Sequence, residues 1–211
     1  MRSFFSIFFC SIFCSISGQI LQPYDNALNP GIIPAPQHIE LSPRGGYTKF
    51  KKKVSRQNKN LPAEGYNLII EKKQITIEYA DHNGLRYANN TLVQLMRFYG
   101  ENQIPCMTIT DYPRFRYRGM HLDVSRHFFD IDFLYKYAEM AAQYRFNVIH
   151  LHLTDDQGWR FESKLYPNLN TISSARSGTQ VGPYSQQKFD SITYQANYIQ
   201  EFLQGFAQFC Y

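Results

Sequence analysis

Apolar and polar positions alternate in the first half of the chain in a way that predicts strands. Residues 66–70 and 74–79 flank the polar turn Glu71-Lys72-Lys73, which is typical of a β-hairpin. Residues 84–99 carry apolar side chains at helical spacing and predict a helix that packs on the hairpin. Residues 104–110 predict a further strand. We therefore expect a small α+β domain over residues 30–113, entered through a proline-rich extended lead.

From residue 114 the predicted order changes to strand (118–124), helix (132–146), strand (147–153), long loop and helix (198–210). This order implies parallel strands joined by crossover helices. One face of each strand is polar, and such polar side chains near the carboxyl ends of parallel strands are typical of a (β/α)8 barrel's active-site face. The polar residues are His121, Asp123 and Ser125 in the first strand and His150, His152 and Thr154 in the second. The expected fold class is α/β: the small domain followed by an incomplete TIM barrel over residues 114–211, about its first two β-α units.

The N-terminus has the form of a secretory signal. Met1-Arg2 precedes an apolar run that ends in Ser15, Ser17 and Gly18, which predicts a cleaved signal peptide over residues 1–18. The alternative, a membrane anchor, is disfavoured because a span needs about 20 apolar residues. We expect the secretory pathway, with a lysosomal or extracellular destination and no stable membrane anchor. Cleavage would leave Cys106 and Cys210, which allow one bridge at most or bridges to other chains or segments.

Composition and charge narrow the function classes. The 211 residues are 44% hydrophobic and 16% aromatic, enough for a packed core. The net charge of +5 is concentrated in a polar, turn-rich stretch, which predicts a solvated loop; a polyanion-binding module is the alternative. Nucleic acid is not an expected partner, because this stretch lacks interleaved aromatic residues beyond Phe50. The cluster comprises Lys49, Lys51, Lys52, Lys53, Arg56 and Lys59.

Two stretches carry a family resemblance. Residues 118–129 read RGMHLDVSRHFF and residues 150–160 read HLHLTDDQGWR. Both closely resemble glycoside hydrolase family 20, the β-N-acetylhexosaminidases, in which the first barrel strand ends in D-x-S-R-H and the second in H-x-H-x-x-D-D-Q. Residues 84–95 also look like the helix of the small domain that precedes the barrel in this family.

The resemblance assigns roles to individual residues. Arg126 is expected to donate hydrogen bonds to hydroxyls of a terminal N-acetylhexosamine, as a planar guanidinium can; the alternative is a structural pair with Asp123 or Asp155. Asp155 is expected to support catalysis by orienting a histidine supplied later in the barrel. Asp156 is expected to be structural, although adjacent carboxylates could suggest a catalytic pair.

Further candidates have competing interpretations. His121, His150 and His152 raise the possibility of a metal, which the lack of an acidic ligand at fixed spacing disfavours; neither a metal nor a cofactor is expected. Trp159 could stack on a sugar, but packing within its loop is favoured. Asn89-Asn90-Thr91 is a sequon that predicts glycosylation at Asn89.

The resemblance also implies a substrate-assisted retaining mechanism that removes terminal N-acetylglucosamine or N-acetylgalactosamine from glycoconjugates or chitin oligomers. That mechanism uses an adjacent Asp-Glu pair, and the sequence contains no such dipeptide. We therefore expect the chain to be truncated within the barrel and inactive alone. The alternative function is a non-catalytic secreted remnant that binds carbohydrate or a partner. Dimerisation is left open.

Overall fold

The computed structural model describes residues 30–210, so the predicted signal peptide lies outside the described residues. Buried apolar side chains form two clusters. The first extends from Ile32 to Ile109 and the second from Val124 to Phe206. The fold is mixed α/β, and within residues 30–210 no helix is long and apolar enough to cross a membrane.

A five-stranded sheet forms the first half. Its strands are β1 (His38–Leu41), β2 (Lys52–Gln57), β3 (Tyr66–Ile70), β4 (Gln74–Tyr79) and β5 (Met107–Asp111), in the spatial order β1-β5-β3-β4-β2. The β3–β4 hairpin is confirmed, and the strand expected over residues 104–110 begins three residues later than predicted. All neighbours are antiparallel except β2 and β4, which are parallel.

The predicted solvated loop over Lys49–Lys59 is wrong, because its centre forms β2. This strand has no buried residue and shows no hydrophobic alternation, the signal on which strand prediction depends. It is held by a parallel ladder in which Lys52 to Gln57 lie opposite Gln74 to Tyr79. β2 is therefore an exposed edge strand that is stabilised by its backbone rather than by burial.

Helix α1 (His82–Tyr99) covers one face of this sheet. The Asp81 side chain caps it by accepting from the Gly84 backbone N–H at 3.0 Å. The buried residues Ala88, Leu92 and Leu95 recur at helical spacing and pack into the first cluster. At Gly84 an added Cβ would overlap the Gly65 carbonyl oxygen, so the helix approaches β3 this closely only because residue 84 is glycine.

The second half follows the predicted β-α-β-α order. Strands β6 (Gly119–Asp123) and β7 (Val148–His152) are parallel and are joined by helix α2 (Ile131–Gln143); helix α4 (Gln200–Cys210) follows the loop. α2 ends three residues earlier than predicted, because Arg145 adopts a positive φ of 65°. The predicted long loop contains short elements: β8 (Thr154–Asp155), β9 (Gly158–Trp159), α3 (Pro167–Thr171), β10 (Ala175–Arg176) and β11 (Tyr194–Gln195).

Buried polar contacts join the two halves. Arg145, after α2, forms an ion pair with Asp111 at the end of β5, and both are almost fully buried. Arg145 also donates to the Thr91 hydroxyl at 2.7 Å and to the Tyr66 hydroxyl at 3.1 Å. Burial raises the pKa of Tyr66 above its ordinary value. The phenol therefore stays neutral, and the guanidinium and one carboxylate are the charges in this network.

The two cysteines within residues 30–210 do not form the bridge that the sequence allowed. Cys106 is buried at the end of the first sheet and Cys210 is exposed at the end of α4; both are free. Burial raises the pKa of both thiols, so both favour the protonated form.

Candidate functional site

The polar ends of β6 and β7 meet at one edge, as expected for parallel neighbours. In the register, His121 lies opposite His150 and Asp123 lies opposite His152. The alternating side chains Leu122 and Leu151 pack into the second cluster with α2 and α4. This alternation buries one face of the strand pair and leaves the polar residues on the other.

Arg126 lies just beyond β6 and is held by two carboxylates. Its Nη1 donates to Asp123 Oδ2 at 2.6 Å, and its Nη2 lies 2.8 Å from Asp155 Oδ2. The Arg126 backbone N–H also donates to Asp123 Oδ1 at 3.0 Å. The side chain is still 47% exposed. The guanidinium is thus fixed between the ends of the two strands while part of it faces solvent.

These contacts also set the charge of Asp123. Burial acts to raise its pKa, but hydrogen bonds from the side chain and backbone of Arg126 lower the pKa on balance. Asp123 is therefore ionised when Arg126 is in place, which strengthens the pair.

Asp155 connects Arg126 to a histidine. Its Oδ2 lies 2.9 Å from His152 Nε2, which is also 3.1 Å from the Thr154 carbonyl oxygen. Because both oxygens are acceptors, Nε2 must carry the hydrogen. A hydrogen bond with the Asp156 side chain, and a weaker contribution from the Asp156 backbone N–H, lower the pKa of Asp155. The same contact between the two side chains raises the pKa of Asp156. Asp155 is thus the member of the adjacent carboxyls that loses its proton at the lower pH.

The histidines form a short row on the polar face. His121 Nδ1 lies 3.4 Å from His150 Nδ1, and the His121 ring centroid is 5.9 Å from that of His152. Over residues 30–210 no group of three or more histidine, cysteine or acidic side chains is arranged to hold a metal ion.

Arg160 supports this edge from beneath and was not predicted as a site residue. It is fully buried and donates to four backbone carbonyl oxygens rather than to a carboxylate. Two of them, Val124 O at 3.2 Å and Ser125 O at 3.0 Å, immediately precede Arg126; the other two belong to Ser174 and Ala196. Burial lowers the pKa of Arg160 from its very high ordinary value. The sequence signal that could have identified Arg160 was its position as the last residue of the second motif, residues 150–160.

Two further candidates lie inside secondary structure. Trp159 is half-buried in β9, and its indole N–H donates to the Phe161 carbonyl. Asn89 lies within α1, where its Nδ2 donates to Leu85 O at 2.9 Å, and Thr91 of the same sequon is fully buried. Glycosylation would therefore have to precede the packing of α1. The loop-packing role of Trp159 and the modification of Asn89 stay predictions.

Comparison with known proteins agrees with this arrangement along both halves. Residues 42–112 match the sequence model of "Glycosyl hydrolase family 20, domain 2", and residues 115–203 match that of "Glycosyl hydrolase family 20, catalytic domain". The chain belongs to glycosyl hydrolase family 20. The second match includes Arg126, Asp155 and Arg160.

Individual relatives in family 20 support the same conclusion. A β-hexosaminidase of Vibrio furnissii is 42% identical over 129 residues, which are 61% of this chain and 21% of that protein. The crystal structure of a β-N-acetylhexosaminidase superposes with a TM-score of 0.73 at 32% identity, over 85% of this chain and 37% of that one. The exo-β-N-acetylglucosaminidase of Vibrio harveyi in complex with N-acetylglucosamine gives a TM-score of 0.69 at 27% identity, over 86% and 34%. The chain thus spans well under half the length of these relatives.

Proposed function

We propose that this chain supplies the Arg126 side of a pocket for a terminal N-acetylhexosamine in a β-N-acetylhexosaminidase. The observation that carries the proposal is Arg126 itself, fixed by Asp123 and Asp155 and nearly half exposed. A guanidinium has five N–H donors, and the two carboxylates use two of them. The remaining donors suit the hydroxyls of a sugar ring.

The two interpretations of Arg126 in the sequence are therefore compatible. An arginine that is free in solution loses rotamer entropy worth about 2 kcal/mol when a ligand fixes it. The two carboxylates have already removed most of this freedom from Arg126. A sugar would meet a donor that is already oriented. The neighbouring relative that was solved with N-acetylglucosamine supports this class of ligand.

We assign the chemistry by family membership. We propose that the chain from residue 114 onward is the start of a TIM barrel, preceded by a small domain over residues 30–113. In the substrate-assisted retaining reaction the sugar's own acetamido oxygen attacks the anomeric carbon, while an enzyme Asp orients that group and a Glu protonates the leaving oxygen. Asp155, ionised and in contact with His152, is suited to orienting the histidine that is expected later in the barrel. That histidine would in turn act on the Glu that serves as the acid. The substrates would be glycoconjugates or chitin oligomers met after passage through the secretory pathway, in lysosomes or outside the cell.

We further propose that the 211-residue polypeptide is catalytically silent alone, since its sequence contains no Asp-Glu pair. The assay is turnover of 4-nitrophenyl N-acetyl-β-glucosaminide by the purified chain. We expect none above background. Turnover comparable with that of longer relatives would refute this part of the proposal.

Sugar binding is tested separately, by titration of N-acetylglucosamine observed by NMR. Arg126→Met should abolish the shifts, and Arg126→Lys should weaken them because an ammonium lacks the planar fork. Arg114→Met, an exposed arginine elsewhere, is the matched control and should bind normally. Unchanged binding in both Arg126 variants would exclude the pocket role.

The second candidate function is a secreted binding protein without catalysis, which the exposed, braced Arg126 would also serve. The transcript beyond Tyr211 distinguishes the two. An in-frame continuation with an H-x-G-H segment and an Asp-Glu pair supports the hydrolase, and a stop codon supports the binding protein.

A further inference from the structure

One end of the five-stranded sheet is closed by residues 46–50, which cross from β5 to the β3–β4 turn. Tyr47 pairs with Pro105 in an antiparallel bridge, and the Thr48 N–H donates to Ile104 O at 2.8 Å. The Lys49 N–H then donates to Lys72 O at 2.7 Å. The crossing therefore brings two basic segments together that are more than twenty residues apart in sequence.

Five exposed lysines collect where this crossing ends. Lys72 extends over Gly46, since a Cβ added there would lie 2.7 Å from Lys72 Cε, and Lys52 starts β2 opposite Gln74. The turn contributes one carboxylate, Glu71. We name this surface the basic corner; it consists of Lys49, Lys51, Lys52, Lys72 and Lys73.

Neighbouring cations on β2 are already engaged. Arg56 forms an ion pair with Glu78, and Lys53 Nζ donates to Asn89 Oδ1 at 3.2 Å on the α1 side. Within residues 30–210, no ion pair involves a lysine of the basic corner. Like charges held close together repel one another, so an anionic ligand would be stabilised there.

Two aromatic residues lie in the same stretch of chain: Tyr47 precedes Lys49, and Phe50 stands between Lys49 and Lys51. Tyr47 is 63% exposed and Phe50 is 39% exposed. Lysines on an edge strand are a common protection against strand pairing between molecules. Exposed aromatic rings work against such protection, so edge protection does not account for the whole surface. Rings beside cations fit a ligand that offers apolar faces as well as anionic groups.

We propose that the basic corner, with Tyr47 and Phe50, binds an acidic glycan whose sugars carry sulfate or carboxylate groups. Such a chain presents the flat faces of its rings and a series of negative charges. Nucleic acid fits less well, because binding single strands relies on successive stacking platforms along a groove. The surface belongs to the first half of the chain, whereas Arg126 belongs to the second, so the proposal stands whether or not Arg126 binds a sugar.

The experiment titrates a heparin oligosaccharide into the purified chain by calorimetry. Lys49→Gln with Lys52→Gln removes two charges from the basic corner, and Lys136→Gln with Lys188→Gln removes two exposed lysines elsewhere. We expect the first pair to weaken binding by roughly 2- to 30-fold, as for two exposed charge contacts, and the control pair by less than twofold. All four side chains are exposed, and an unchanged melting temperature verifies folding.

A second arm separates sugar recognition from charge alone. Tyr47→Ser is compared with Tyr166→Ser, an equally exposed tyrosine in the second half. Tyr47→Ser should weaken heparin binding but leave the binding of inorganic polyphosphate unchanged, and Tyr166→Ser should affect neither. The proposal is overturned if both lysine pairs lose affinity equally, if heparin does not bind, or if a single-stranded oligonucleotide binds more tightly than heparin.

Discussion

Replacing Arg145 by methionine tests the contact between the two halves. The substitution keeps a long apolar side chain but removes the cation beside Asp111, which is 3% exposed. Removing one partner of a buried ion pair costs about 3–5 kcal/mol. Asp111 keeps the Tyr112 N–H at 2.9 Å and the Gln37 N–H at 3.1 Å, and Thr91 keeps the Tyr66 hydroxyl at 2.6 Å. These remaining partners place the expected loss near the lower limit, about 3 kcal/mol.

The assay is urea unfolding followed by two probes. Trp159 is the single tryptophan and its fluorescence reports on the second half, whereas far-UV circular dichroism reports on both. We expect coincident transitions in the wild type and separated ones in Arg145→Met, because the halves lose their buried link. Arg56→Met is the matched control: its guanidinium is also paired, with Glu78, but is 65% exposed, so the loss should be about 0–1 kcal/mol.

A double variant completes the test. Asp111→Asn added to Arg145→Met removes the unpaired charge and should recover part of the stability, with a coupling energy of roughly 0.5–3 kcal/mol. Equal losses in Arg145→Met and Arg56→Met, or strict additivity of the two buried substitutions, would refute the assignment of Arg145 as the link.

Two more predictions concern close packing and charge. Gly84→Ala should destabilise the fold although alanine favours helices by about 1 kcal/mol, because its Cβ would overlap the Gly65 carbonyl oxygen; Gly205→Ala in α4, where the space is open, should stabilise it. Thermal melting compares the two variants, and a gain in both would contradict the close approach of α1. The carboxyl of Asp123, followed by ¹³C NMR, should titrate below its ordinary pKa, and Arg126→Met should raise the midpoint. The folded-state pKa is the lowered one, so this pair's contribution is present at neutral pH and is lost as the pH falls through that value; an unchanged midpoint would contradict the pairing.

Hydrophobic patterning was sufficient to predict the helices and strands that bury one face. β3, β4 and α1, together with β6, α2 and β7, appeared at nearly the predicted positions, because their apolar residues recur with the period of the structure. β2 was not predicted because its ladder consists of hydrogen bonds between backbone groups, which every sequence possesses. The presence of a strand there depends on its neighbour β4 rather than on its own residues.

The site was predictable to a different degree. The two motifs identified Arg126 and Asp155, and the structure brings them into contact at 2.8 Å. Arg145 and Arg160 were missed because a charged residue suggests a surface position, and nothing in the local sequence shows that distant hydroxyls or carbonyl oxygens will surround it. Burial of an arginine is decided by the tertiary arrangement of its acceptors.

Arg160 has a consequence for how the second half assembles. Its four carbonyl acceptors come from residues 124, 125, 174 and 196, which belong to three separate stretches of chain. A desolvated cation without those acceptors would be strongly unfavourable, so no stretch can dock fully before the others. The long loop between β7 and α4 is therefore one cooperative unit with the end of β6. An insertion near residue 174 or 196 should displace Arg160 and, through it, change the position of Arg126.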